Sequence, residues 1–181
     1  MKKQRQVYIS DVGLIDVGEH WDLSLPQLAA SAASKVLDTE TVNKLDAIYV
    51  GNMMASFLSH QQNLGTLIAD HCGLRDVNAV TVESAGSSGA SAFRQATLAI
   101  LSGEIDTALV IGVEKMTDSI GSLITDAMAS GSDSDWESFH GATLSSIAAL
   151  IMRRYMYQYN VNRESFAKFS VNSHNNGVNN S

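Results

Sequence analysis

A chain of 181 residues with 45% hydrophobic residues can bury one substantial core, with a subdomain appended to it. Its formal charge of -7 and the lack of a basic run argue against a nucleic-acid binder, which needs clustered lysine and arginine to neutralise phosphates. The basic start, Lys2, Lys3 and Arg5, reads as a solvated terminus, no apolar stretch resembles a signal-peptide core or a membrane span, and the single cysteine, Cys72, excludes an internal disulfide framework and a cysteine-rich zinc site; the expectation is a cytoplasmic protein in a reducing compartment.

In chain order, Val7 to Ser10 reads as a short strand. Ser24-Leu25-Pro26 opens a helix, with serine at the cap and proline in the first turn, and an alanine-rich run carries that helix to about Leu37. Asp46 to Val50 returns to β-forming residues and stops at Gly51. Gln61 to Cys72 places Leu64, Leu67, Ile68 and Cys72 at helical spacing, and Gly73 is positioned to end that helix. Ala79 to Val82 reads as a strand, Ser84 to Gly89 as a turn, Ser91 to Leu101 as a helix and Thr107 to Val113 as a further strand.

Strands alternating with helices at this spacing predict an α/β fold with a mainly parallel sheet covered on both faces. After Met116 the character changes. Gly121 to Ser138 is rich in Gly, Ser and Asp, Ala142 to Tyr159 and Arg163 to about His174 read as helices, and the polar tract Asn175 to Ser181 adds no strand. The expected division is a core over residues 1–118 and a mainly helical segment over residues 119–181.

The turn after the third strand, Val82-Glu83-Ser84-Ala85-Gly86-Ser87-Ser88-Gly89-Ala90, directs backbone N–H groups and the positive end of a helix dipole to one point, where anions and thiolates are stabilised. Small residues also simply make a tight, capped strand-to-helix turn. Gly86 to Ala90 further comes within one alanine of Gly-x-Ser-x-Gly, which would make Ser88 the nucleophile of a serine hydrolase. Its acid would come from Asp118, Asp126, Asp133 or Asp135 and its base from His140 or His174.

A further reading comes from resemblance. Val82 to Gly89 resembles the active-site turn of the thiolases, in which a cysteine stands between small residues at the head of a buried helix. Gly103 to Met116 is similar to the stretch that follows it. Phe139-His140-Gly141-Ala142-Thr143 looks like the opening of the family's loop domain, Ala149 to Tyr159 with Asn162 to Ala167 matches its next helices, and Ser173 to Asn176 continues the register. The likeness runs from Val7 onward and is nearest to the archaeal and sterol-carrier-protein type.

This resemblance implies a thiolase-like half-domain of an acyl-CoA C-acyltransferase acting in lipid metabolism, with coenzyme A and acyl-CoA as substrates and no covalently bound cofactor. The family nucleophile's position falls on Gly86, which has no thiolate to offer. The remaining catalytic motifs belong to a C-terminal half, and this chain carries neither them nor the family's fifth strand. The implied state is inactive alone, homodimeric through the third strand, and covered by a complementary C-terminal half or partner subunit; a non-catalytic scaffold subunit is the alternative. The resemblance also places His140 near the pantetheine arm of CoA, although a loop histidine is usually just solvated.

The five histidines, His20, His60, His71, His140 and His174, form no metal-ligand spacing, and no metal is expected. His71 and Cys72 are adjacent on a helix and point about 100° apart, so core packing is the expectation for the cysteine. Met53-Met54 and Phe57-Leu58 are read as ordinary packing, and Asp133, Asp135 and Glu137 as a solvated acidic loop.

Overall fold

The computed structural model of the protein describes residues 5–179; Lys2 and Lys3 of the basic start, and Asn180 and Ser181 of the polar tract, lie outside the described residues. These form two compact units, one of residues 5–15 with 19–124 and the other of residues 16–18 with 125–179.

The first unit is built on three parallel strands, β1 (Ala47–Gly51), β2 (Asn78–Val82) and β3 (Ala108–Gly112), in the spatial order β2-β1-β3. Ala47 pairs with Asn78 on one side and Ala108 on the other, and Gly51 with Val82 and Gly112, so all three strands end level. Every residue of β1 is buried, because this central strand is covered on both faces. Ile48 and Val50 pack against α1 (Leu25–Ala33) and α4 (Leu64–His71), through Leu25, Ala29, Leu64 and Ile68. Ala47 and Tyr49 face α5 (Ser88–Ser102), which presents Ala92, Ala96 and Ala99.

Two helix ends follow the sequence signals, the start of α1 and the stop of α4. Ser24 caps α1 in a reciprocal box with Gln27, and Pro26 lies in its first turn. The helix ends at Ala33, short of Leu37, and α2 (Thr39–Lys44) follows from an Asp38 cap. Gly73, at φ +70°, closes α4. A short helix, α3 (Ala55–Leu58), occupies what read as loop, and α5 starts at Ser88 rather than Ser91.

One expected strand is not formed. Residues 7–10 adopt no regular structure: they form no ladder with the sheet, and a strand exists only through its ladder. Instead, residues 7–13 border a cavity of about 630 Å³ whose far wall includes Leu109, Ile111 and Phe93. Arg5, expected to be merely solvated, tethers this segment: its guanidinium donates to the carbonyls of Ile100 and Ile105 at 3.1 and 3.2 Å and pairs with Asp106 at 2.9 Å.

Asp46 ties the entries of β1 and β3 together by accepting from the backbone N–H groups of Asp106 and Thr107 at 2.8 and 2.9 Å. Those bonds hold its carboxyl below the usual carboxylate value. Its stabilisation is therefore present above the unfolded carboxylate pKa of about 3.9 and is lost as pH falls through the depressed folded value. Asp46→Ala is expected to lower the thermal midpoint at pH 7, with the gap from wild type closing on acidification; a pH series of thermal melts checks this.

Helix α6 (Gly121–Ala129) begins the C-terminal region, where composition suggested only loop. In the second unit Thr143 and Ser146 form a reciprocal cap for α7 (Leu144–Tyr159), which ends at Asn160 in the left-handed region. Tyr155 packs on Tyr159, ring centroids 4.6 Å apart, and edge-on to Phe166 at 6.1 Å, ahead of α8 (Ala167–Gly177). Neither α7 nor α8 buries any residue, and Leu150, Ile151 and Phe169 are each about two-thirds exposed or more. Among the described residues no helix is long and apolar enough to cross a membrane.

Candidate active site

The C-terminal ends of parallel strands are where α/β sheets place their chemistry, since the following loops and helix N-termini converge there. Here β2 runs straight into a single 3-10 turn, Ala85–Ser87, and then into α5. Ala85 takes φ +46°, a left-handed conformation uncommon for a residue with a Cβ. Gly86 follows it at the exposed crest. A Cβ built on Gly86 meets nothing within 4 Å and its φ lies outside the left-handed range, so the backbone accepts a side chain there without strain.

The serines hold the turn together. Ser88 is buried, 5% exposed; its Oγ accepts from Ser84 N at 2.9 Å and donates to Ala85 O at 2.7 Å. Ser87 Oγ donates to Ser84 O at 2.7 Å. This corrects the hydrolase reading: a buried hydroxyl whose proton and lone pair both serve the main chain of its own turn is a brace, not a free nucleophile. A fluorophosphonate probe is accordingly expected to leave Ser88 unlabelled, as mass spectrometry of the treated chain would reveal.

The floor beneath the turn is backbone against backbone. A Cβ on Gly51, the last residue of β1, would stand 2.6 Å from Gly89 Cα and 2.8 Å from Ser88 C. Next to it, buried Asn52 links the three strand ends. Its N–H donates to Val82 O at 3.2 Å, its Nδ2 to Val113 O at 2.8 Å and to Glu114 Oε1, and its Oδ1 accepts from Ala55 N at 2.9 Å. Glu114 also accepts from Met53 N at 3.0 Å and Met54 N at 3.1 Å. Burial pushes the Glu114 carboxyl up, and these donors pull it part of the way back. Sequence reasoning missed this pair, because Asn52 and Glu114 lie 62 residues apart in no spacing motif.

The family described as "Thiolase, N-terminal domain" matches residues 8–181. The chain belongs to the thiolase family. Among individual proteins it is 39% identical to the acetyl-CoA acetyltransferases of Methanocaldococcus jannaschii and Methanothermobacter thermautotrophicus, over 97% of this chain and 45% and 46% of those proteins. It is 31% identical to the benzoylsuccinyl-CoA thiolase subunit BbsB of Thauera aromatica, over 99% of this chain and 46% of that subunit. The chain thus spans about half the length of the curated relatives it matches.

Within this thiolase chain the other candidates are placed as follows. Gly86 belongs to the first unit and His140 to the second. His140 is exposed and stacks edge-on against Phe139, ring centroids 5.4 Å apart. Cys72 is half-buried beside the core of α1 and α4, where burial pushes its thiol up, while His71 bonds through Nδ1 to Leu67 O at 3.0 Å, so the two form no dyad. Met54 is buried and Phe57 is 41% exposed. Asp133 braces its own loop by accepting from Asp135 N and Trp136 N. Lys115, 8% exposed, pairs with Asp118 at 2.5 Å.

Proposed function

We propose that this chain is the N-terminal half of an acyl-CoA C-acyltransferase of the acetyl-CoA acetyltransferase type, with Gly86 at the nucleophile position and no acyl transfer of its own. The observation that carries the reading is the turn itself: a braced elbow at the head of a 15-residue helix, whose crest has room for a side chain that Gly86 does not supply. Covalent acyl transfer needs a thiolate at that point. Acetyl-CoA, or another acyl-CoA, is the proposed substrate, bound without a metal or covalent cofactor, and His140 is the proposed contact for its pantetheine arm.

A complementary C-terminal half is the proposed partner. Support comes from the relatives, which extend to about twice this length, and from the cavity of about 630 Å³ between residues 7–13 and β3. An extended segment entering there would find the unpaired edge of β3 and give residues 7–10 the neighbour that makes a strand. The exposed Leu150, Ile151 and Phe169 supply further surface for such a chain. Homodimer formation through the free edge of β2 and a cytoplasmic, lipid-metabolic setting complete the reading.

Two measurements test it. The purified chain is expected to cleave no acetoacetyl-CoA; measurable thiolysis would overturn the inactivity. The Gly86→Cys chain combined with a C-terminal half from a relative is expected to be acetylated at residue 86 by acetyl-CoA, seen by peptide mass spectrometry. If CoA binds and residue 86 stays unmodified, a non-catalytic scaffold subunit is the better description.

A further inference from the structure

The strand ends under the turn are joined by one carboxylate. Residue 86 is held from two sides: β2 enters the turn at Val82, whose carbonyl is bonded by Asn52 N at 3.2 Å, and the helix leaves it at Ser88 and Gly89, which lie directly on Gly51. Both supports belong to the same two residues at the end of β1, Gly51 and Asn52. What fixes that end is Glu114, arriving from β3. Its carboxylate receives the Asn52 side-chain amide and the Met53 and Met54 N–H groups, while Val113 N donates to Gly51 O at 3.2 Å.

We propose that Glu114 is a positioning residue for the strand-to-helix turn that carries residue 86, a proposal that rests on the acyl-transfer reading of that turn. Both carboxylate oxygens of Glu114 are engaged by these donors, which suits a holding role. Its effect passes through Asn52 to Val82 and through Gly51 to Gly89. Charge-assisted bonds of this kind are the strong ones, and glutamine cannot replace them. A side-chain amide at 114 would keep one acceptor and turn a donor toward the Asn52 amide or the Met53 and Met54 N–H groups, so one of these contacts becomes donor against donor.

The test reads the turn and not acyl transfer. Amide hydrogen exchange would be followed at Ser84 and Ser87, whose N–H groups bond Ser88 Oγ and Ser84 O, in the wild-type chain, in Glu114→Gln, and in Leu74→Ala. Leu74 is buried in the cluster on the opposite face of the sheet, so that variant controls for general loss of stability. Exchange at both serines is expected to be roughly ten-fold faster in Glu114→Gln than in the control at equal distance below each midpoint.

A second readout uses the thiol introduced by Gly86→Cys in a Cys72→Ser background, where its alkylation pH profile is expected to move to higher pH on adding Asn52→Ser, which breaks the link to Glu114 without changing the charge near the turn. If Glu114→Gln does not fold, the same Asn52→Ser change, which leaves the carboxylate on the Met53 and Met54 amides, is expected to speed exchange at both serines as well. Serine exchange equal to the Leu74→Ala control together with an unmoved alkylation profile at residue 86 would overturn the proposal, leaving Glu114 as a local cap of α3. An ordinary thiol profile for the introduced cysteine before any change at 52 or 114 would count against the acyl-transfer reading alone, since the exchange comparison still decides the role of Glu114.

Discussion

Gly51→Ala is expected to destabilise the chain by about 2 kcal/mol or more, within or above the range for overpacking a close contact. The added methyl would stand 2.6 Å from Gly89 Cα, 2.7 Å from Gly89 N and 2.8 Å from Ser88 C. None of these atoms is the free end of a flexible side chain, so relief requires moving α5 off the sheet or bending β1. Both are costly, because α5 is seated through Ala92, Ala96 and Ala99 and β1 is paired on both sides. Urea unfolding measures the loss directly, and for a chain of this size the thermal midpoint should fall by roughly 4–8 °C. A midpoint within a degree of wild type would mean that strand and helix are farther apart than this geometry has them. Gly65 makes a similar contact with the Val80 backbone at 2.8 Å, so Gly65→Ala should lift α4 from β2 in the same manner.

The contrast between elements that were legible in the sequence and those that were not follows from which information is local. Val50 stopping at Gly51, the Ser24-Leu25-Pro26 start and the Gly73 stop are each encoded within a few residues by propensity or cap chemistry, and the structure has them. The strand expected at Val7 to Ser10 has suitable residues, but a strand is a relation between two segments, and its partner is absent from the ladder. Helix α6 was hidden because its first residues, Gly121 and Ser122, open a run rich in Gly, Ser and Asp that reads as loop.

At the site, Gly86 stood out through the resemblance of the whole turn. Spacing then gave Ser88 a chemical role that its hydrogen bonds deny, because a pattern of letters carries no record of where a hydroxyl's proton goes. Glu114 was invisible for the opposite reason. A carboxylate bound to main-chain N–H groups asks nothing of its partners' side chains, so Met53 and Met54 leave no signature of the contact.

Gly86→Cys should leave stability unchanged or raise it by up to about 1 kcal/mol, since a residue that fits the native backbone restricts the unfolded chain more than glycine does. Its chemical effect should be far larger. A thiol at residue 86 would sit where the 3-10 turn delivers the chain to the N-terminus of α5, and the partial positive charge of such an end favours the thiolate. Glu83 opposes this, but it is exposed and its carboxylate is already occupied by Ala85 N at 2.6 Å, so its repulsion is screened. The helix end therefore wins, and the introduced thiol should titrate below the ordinary value of about 8.5. Cys72 provides an internal reference of the other sign, because burial pushes its thiol up. Iodoacetamide labelling at pH 7, resolved by peptide mass spectrometry, should therefore modify the cysteine at position 86 several-fold faster than Cys72, and adding Glu83→Gln should widen that ratio. Equal rates at the two cysteines would show that the turn holds space for a nucleophile without the electrostatics to activate one.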